Sequence, residues 1–196
     1  MYAYIDGILV EKNPTFVVLD CQGVGYLLHV SLNTYSKLQQ EQQRCRLFAH
    51  LQIKEDAHTL YGFFSQEERL LFRLLIGVSG VGASTAQMML SAMSPSELIS
   101  NIATGNVGAL QAIKGIGGKT AQRIIIELRD KVTKSDISIS VFEQTNEGNV
   151  RNEALSALVS LGFPRQNAEK AVDKIIKASD GDISVETLIK ESLKIL

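Results

Sequence analysis

The sequence has no tryptophan, two cysteines and few aromatic side chains, which make up 6% of its 196 residues. So few aromatic side chains argue against the binding of nucleobases by stacking on aromatic platforms. Cys21 and Cys45 stand alone, without the spacing of a metal-binding or redox motif. They are typical of free thiols in a reducing cytoplasm. The three histidines also lack the spacing of metal ligands, so we expect no metal site.

Long apolar stretches, targeting signals and catalytic motifs are missing as well. No apolar run is long enough to span a membrane, and residues 1–6 lack the start of a signal peptide. We therefore expect a cytoplasmic protein. Gly118-Lys119-Thr120 resembles the end of an ATP-binding P-loop, but Ile113 stands where that loop requires its first glycine. The sequence predicts no catalytic residue and no bound cofactor.

Charge is nearly balanced overall but not along the chain. Lys and Arg number 20, and Asp and Glu number 21, for a net charge of −1. Residues 69–134 carry eight basic and three acidic side chains, a net charge of +5, while the segments before and after them each carry −3. This concentration of positive charge indicates a phosphate-binding module in the middle of the chain.

The most informative pattern is a short stretch that occurs twice, at residues 77–86 and 112–121. Each copy has a Gly-apolar-Gly sequence, then small or polar residues, Thr-Ala and an apolar helical run, and the two copies are 35 residues apart. The pattern predicts a helix, a tight hairpin and a second helix, because glycine permits positive φ angles. The apolar residue between the glycines, Val81 or Ile116, is expected to anchor the hairpin.

A helix that starts after such a hairpin presents backbone N–H groups that can bind phosphate without reading base sequence. The alternative is a plain helical hairpin whose glycines only allow close packing. The repetition, together with the basic residues around the second copy, favours phosphate binding. The candidate DNA-binding residues are Gly80, Val81, Gly82, Ser84, Lys114, Gly115, Ile116, Gly117, Lys119, Thr120 and Arg123.

Residues 1–64 have the β-branched and apolar composition of short strands, predicted at 2–10, 15–21, 26–30, 45–53 and 58–63. Five short strands with one helix before the fourth predict a Greek-key barrel of the OB type. Such a barrel either binds nucleic acid or is purely structural. The turn between its last two strands carries Glu55 and Asp56. Adjacent carboxylates are usually a solvated turn, but near DNA they would repel phosphates.

The rest of the chain is predicted to be helical. In residues 65–133, two Ser-x-x-Glu sequences, ending in Glu68 and Glu97, predict capping boxes. Residues 134–149 are polar and predict a linker. Residues 150–196 predict a bundle of three short helices, a size typical of a partner-binding module. The fold class is therefore α+β, with several domains.

In this order, these features resemble the RuvA family, the Holliday-junction-recognition subunits of the bacterial RuvAB branch-migration helicase. The resemblance covers the whole chain, including the start at 1–7, the segments 54–57 and 60–63, both hairpins, the linker and the C-terminal bundle. It implies an OB-fold domain, a tandem helix-hairpin-helix domain and a UBA-like domain. It also implies a homotetramer, or two tetramers as an octamer, on a square-planar four-way junction.

The resemblance further implies how the parts work together. The hairpins hold the DNA arms, and Glu55 and Asp56 form an acidic pin that helps to separate strands at the crossover. The C-terminal domain contacts the AAA+ motor RuvB, which binds the ATP and Mg²⁺, and the RuvC resolvase is a further partner. The chain departs from the family's usual basic residues at Ser84 and Gly118, which implies a smaller salt dependence of binding.

Three other functions remain open from the residues. The chain could bind duplex DNA generically through its hairpins. It could be a structure-specific nuclease, which would need clustered carboxylates for Mg²⁺; only Glu55-Asp56 and Glu67-Glu68 come close. It could also be an adaptor that binds ubiquitin-like ligands through the C-terminal bundle.

Overall fold

The computed structural model describes residues 2–134, 149–178 and 183–196. The predicted linker at 134–149 lies outside the described residues except at its two ends. Contacts between residues divide the chain into two units. The first unit contains the strands and the helices up to Lys134, and the second contains the last three helices.

The strands of the first unit form the predicted five-stranded barrel. They are paired in the order β1-β2-β3-β5-β4 and the barrel is closed. All described pairs are antiparallel except β3 with β5, where His29 lies beside Tyr61. The inward side chains of alternate residues, such as Leu9, Leu19 and Leu47, fill the interior. The strands are β1 (Tyr4–Lys12), β2 (Phe16–Cys21), β3 (Val24–Val30), β4 (Arg44–Ile53) and β5 (His58–Phe63).

Some predicted strand ends were wrong because pairing extends the strands beyond their apolar runs. β1 continues to Lys12, which pairs with Val17 of β2. β3 begins at Val24 rather than at residue 26, since Val24 pairs with Cys21. The turn between β2 and β3 therefore has only two residues, Gln22 and Gly23, whose φ angles are 57° and 90°. Two positive φ angles are typical of the tight hairpin that matches strand twist.

One short helix, α1 (Leu32–Lys37), follows β3, and between the barrel and residue 134 the structure describes five more. They enclose an apolar core that includes Leu71, Met89, Leu98, Ile124 and Leu128. Ile124 and Leu128, from the helix that follows the second hairpin, are fully buried in this core. The helices are α2 (Gln66–Ile76), α3 (Ala83–Ala92), α4 (Pro95–Thr104), α5 (Val107–Gln111) and α6 (Gly118–Lys134).

Only one of the two predicted capping boxes is present. At α4, the Ser94 hydroxyl accepts from the Glu97 N–H and the Glu97 carboxylate accepts from the Ser94 N–H, which closes the box. At α2, Ser65 accepts from the Glu68 N–H, but the Glu68 carboxylate turns towards the barrel. The prediction for Glu68 was wrong because a hydroxyl from a distant segment competes for its carboxylate.

The second unit is the predicted three-helix bundle. Its core contains Ala154, Leu158, Val172 and Leu188. Gly162 follows the first helix of this bundle and has a φ of 97°, a backbone conformation that favours glycine. The helices are α7 (Asn149–Ser160), α8 (Arg165–Ala178) and α9 (Val185–Leu193). None of the helices in the described parts of the chain is both long and apolar enough to cross a membrane.

Candidate nucleic-acid interface

The two glycine-containing turns are built by the same backbone hydrogen bonds. In the first, the Val81 N–H donates to the Val78 carbonyl at 3.0 Å; in the second, the Ile116 N–H donates to the Ile113 carbonyl at 3.1 Å. All four side chains are at most 5% exposed. Each turn is therefore held from below by two apolar anchors, as predicted for Val81 and Ile116.

A glycine with positive φ forms the tip of each turn. The φ angle is 89° at Gly80 and 87° at Gly115. Side chains disfavour this left-handed conformation, which glycine adopts freely. A Cβ at either position would meet no atom within 4 Å. The tips therefore face open space and depend on glycine for their backbone conformation rather than for room.

The helices after the turns begin with uncapped amides. The Ala86 N–H donates to the Gly82 carbonyl and the Ala121 N–H to the Gly117 carbonyl, each at 2.9 Å, so a glycine precedes each helix. Glycine has no side chain that could accept from the first N–H groups. A Cβ at Gly82 or Gly117 would also meet no atom within 4 Å. A phosphate oxygen can approach both helix N-termini closely.

Basic side chains surround the second turn. Lys114, Lys119 and Arg123 are exposed, and Thr120 is half-buried in the first turn of α6. The Arg123 Nη1 donates to the carbonyl of Ser79 in the first turn at 3.1 Å. Arg123 therefore connects the two turns and places a positive charge between them. In the first turn, Ser84 is exposed and supplies a hydroxyl rather than a positive charge.

Sequence reasoning missed Gln111 in the second turn. A Cβ at Gly118 would lie 2.6 Å from the Gln111 Nε2. The Gln111 amide therefore covers the position that a side chain at Gly118 would occupy, and it adds an N–H donor beside the start of α6. No local pattern marks this residue, because the contact depends on how α5 and α6 pack across the turn.

The predicted acidic pin lies at the β4–β5 turn. The Lys54 N–H donates to the Ala57 carbonyl at 2.9 Å, which closes the turn and leaves Glu55 and Asp56 at its tip. Both carboxylates are exposed. Because β4 and β5 are paired from Ile53 and His58 onwards, the two negative charges are carried at the end of a rigid hairpin.

The carboxylates that a nuclease would need lie in different environments. Glu68 is fully buried and accepts a hydrogen bond from the Thr34 hydroxyl at 2.7 Å. Burial raises the pKa of its carboxyl, whereas Glu55 and Asp56 are exposed. Within the described ranges, no three side chains of His, Cys, Asp or Glu lie together in a way that could hold a metal ion.

Comparisons with known proteins agree with this arrangement. Family models match residues 1–62 as the RuvA N-terminal domain, 72–130 as a SAM-like helix-hairpin-helix tandem and 149–196 as the RuvA C-terminal domain. Two relatives are called Holliday junction branch migration complex subunit RuvA. The protein from Flavobacterium psychrophilum is 52% identical and that from Christiangramia forsetii 50% identical, each with 99% of both chains covered.

The chain belongs to the RuvA family. A relative of the same name from Bacteroides thetaiotaomicron is 44% identical over 99% of both chains. The resemblance stated from the sequence is therefore confirmed. The fold class of an OB-type barrel, a helix-hairpin-helix tandem and a C-terminal helical domain is also confirmed, because the three family models match in the same order along the chain.

Proposed function

We propose that this chain is the RuvA subunit of its own branch-migration complex and binds four-way DNA junctions. The observation that carries the proposal is the pair of equivalent turns, each followed by a helix with uncapped amides. Two such N-termini, with Lys119 and Arg123 beside them, hold the sugar-phosphate backbone of one DNA arm. Because the contacts are made to phosphate, they position the DNA without reading its sequence.

Junction preference comes from combining the turns with the acidic pin. A homotetramer places four sets of turns on the four arms and four pins at the crossover. At the tips of the pins, Glu55 and Asp56 repel phosphate and keep the strands apart and the junction open. A closed four-fold assembly also explains why a small chain can hold four arms at once. Octamers and contact with the RuvC resolvase are further parts of the proposal.

The C-terminal unit is the attachment site for the motor. It recruits and stimulates RuvB, an AAA+ ATPase, which supplies the energy by binding ATP and Mg²⁺. This chain contributes targeting and needs no cofactor or catalytic residue. The assembly acts in the bacterial cytoplasm during recombination and repair of DNA.

A competition gel shift tests the proposal. Full-length protein is mixed with a labelled four-way junction in moderate salt with EDTA, and unlabelled junction or linear duplex of equal mass is added. We expect the junction to compete far better than the duplex. Equal competition would indicate a generic duplex-binding protein. Cleavage of the junction when Mg²⁺ replaces EDTA would indicate the nuclease instead.

A further inference from the structure

Glu68 and Glu97 occupy the same position in two Ser-x-x-Glu sequences, but their carboxylates bind different groups. Glu97 accepts from the Ser94 N–H at 2.8 Å within its own helix start. Glu68 accepts from the hydroxyls of Thr34 and Ser31, which lie 34 and 37 residues earlier in the chain. A buried carboxylate is costly unless it is fully hydrogen-bonded. The fully buried Glu68 therefore depends on the barrel segment around α1.

The same segment also binds the end of α3. The Leu32 N–H donates to the Ser91 hydroxyl at 3.1 Å, and the Asn33 side chain donates to the Met93 carbonyl at 2.8 Å. Glu68 lies in the first turn of α2, and Ser91 lies in the last turn of α3. The first glycine turn joins α2 and α3 at one end of this pair. At the other end, the segment 31–34 is hydrogen-bonded to both helices.

The Thr34 hydroxyl forms a further hydrogen bond where the barrel joins α2. Its hydroxyl accepts from the Phe64 N–H at 3.0 Å and donates to Glu68. Phe64 directly follows β5, the strand that starts at the acidic pin. The network therefore lies where two rigid arms meet. One arm is the β4–β5 hairpin that carries the pin, and the other is the α2–α3 pair that carries the first turn.

The length of these arms makes their angle important. β5 has six residues, about 20 Å of strand at roughly 3.3 Å per residue. A rotation of about 10° at the network would move the pin by about 3.5 Å over that strand length, more than the length of a hydrogen bond. Apolar contacts at the same place, such as Phe72 against the rings of Tyr61 and Phe63, hold the parts together but depend less on angle than hydrogen bonds do. The directional hydrogen bonds fix the angle.

We propose that Glu68 is a positioning residue for junction recognition, because its bonds to Ser31 and Thr34 fix the acidic pin relative to the first DNA-binding turn. The inference rests on the proposed function. Binding of duplex DNA needs only the two turns, whose anchors Val81 and Ile116 are buried in the core that the helices enclose. Binding of a junction needs the turns and the pin in a fixed arrangement. The ratio of junction affinity to duplex affinity therefore measures whether Glu68 holds the pin and the turn in that arrangement.

Four variants of the full chain separate positioning from stability. Glu68→Ala removes the bonds. In Glu68→Gln, the amide can accept from one hydroxyl and donate to the other, so the network can re-form. Glu97→Ala is the matched control, since it removes a glutamate and one helix-start contact in the same region without touching the barrel. Asn33→Ala weakens the same connection from the α3 side. Because Asn33 is only half-buried, this variant still tests the inference if Glu68→Ala does not fold.

Each variant is measured for junction and duplex affinity by gel shift and for its thermal midpoint. We expect Glu68→Ala to lower the junction-to-duplex ratio about tenfold, equivalent to about 1.4 kcal/mol, mainly through weaker junction binding. Asn33→Ala should lower it in the same direction, and Glu68→Gln should restore it. Glu97→Ala should lower the midpoint and leave the ratio unchanged.

An unchanged ratio in both Glu68→Ala and Asn33→Ala would overturn the inference and leave Glu68 as a stability element. If Glu68→Ala does not fold, an unchanged ratio in Asn33→Ala alone would overturn the inference. Equal losses in Glu68→Gln and Glu68→Ala would overturn the hydrogen-bonding explanation. A wild-type protein without junction preference would overturn the proposed function itself, and the inference with it. The wild-type measurement therefore distinguishes the two failures.

Discussion

Gly115 and Gly117 lie in the same turn but should respond in opposite ways to alanine. Gly115 has a φ of 87°, whereas the backbone of Gly117 is outside the left-handed region. A Cβ at either position would meet no atom within 4 Å. Gly115→Ala should therefore destabilise the folded protein through backbone strain, without a steric clash. Gly117→Ala should destabilise it hardly at all. The added methyl group at Gly117, however, lies at the N-terminus of α6, where we propose that phosphate binds.

The expected magnitudes follow from these two environments. A side chain in the left-handed region costs about 1–2 kcal/mol, which for a chain of this size lowers the thermal midpoint by about 2–8 °C. Gly117→Ala should be neutral or stabilising by about 0.5 kcal/mol, since alanine restricts the unfolded chain. Its methyl group should displace the phosphate and weaken one or two N–H contacts of about 0.5–1.5 kcal/mol each. Junction affinity should therefore fall by about tenfold.

Urea and thermal unfolding followed by circular dichroism measure the stability effects, and gel shifts with a four-way junction measure binding. Gly80→Ala and Gly82→Ala repeat the experiment in the first turn, where the φ angle of Gly80 is 89°. The reasoning would be refuted if Gly117→Ala bound the junction as tightly as wild type. It would also be refuted if Gly115→Ala and Gly117→Ala had the same unfolding midpoint.

Four further results are expected. Glu55→Gln with Asp56→Asn should retain or tighten junction binding in a titration, because repulsion of phosphate is removed; clear weakening would contradict the pin. Lys119→Ala should lower the slope of log affinity against log salt by about 1, and an unchanged slope would place this lysine away from phosphate. Deleting residues 150–196 should leave junction affinity intact and abolish stimulation of the RuvB ATPase; retained stimulation would locate the motor contact elsewhere. Since burial raises the pKa of Glu68, the folded state keeps this proton to a higher pH than the unfolded chain does. The free energy of unfolding should fall as pH rises from the ordinary carboxyl pKa through that raised value, and Glu68→Gln should remove this fall in a series of urea titrations.

Much of the candidate DNA-binding surface could be predicted because its geometry is local. Val78 and Val81, or Ile113 and Ile116, are three residues apart and are joined by one backbone hydrogen bond in each turn. The glycine between them supplies the positive φ that the turn requires. Such geometry depends on neighbouring residues, so the repeat itself indicates both turns. The exposed Glu55-Asp56 turn was predictable for the same reason.

Contacts between distant segments could not be predicted in this way. The Ser65-x-x-Glu68 and Ser94-x-x-Glu97 sequences predict the same cap, yet only Glu97 forms it. Glu68 binds Ser31 and Thr34 because closure of the barrel brings α1 beside α2. Nothing within four residues of Glu68 encodes that choice.

The sequence alone therefore determined the element order, the two glycine turns and the acidic turn, since hydrophobic periodicity, helix caps and glycine conformations act over a few residues. Tertiary structure alone decided the parallel pairing of β3 with β5, the bond from Arg123 to Ser79 and the partners of Glu68. These contacts join residues more than 30 positions apart. The first forms when the barrel closes, the second when the helices pack on one another, and the third when the barrel and the helices pack together. In each case the free energy of burial, rather than local propensity, brings the residues into contact.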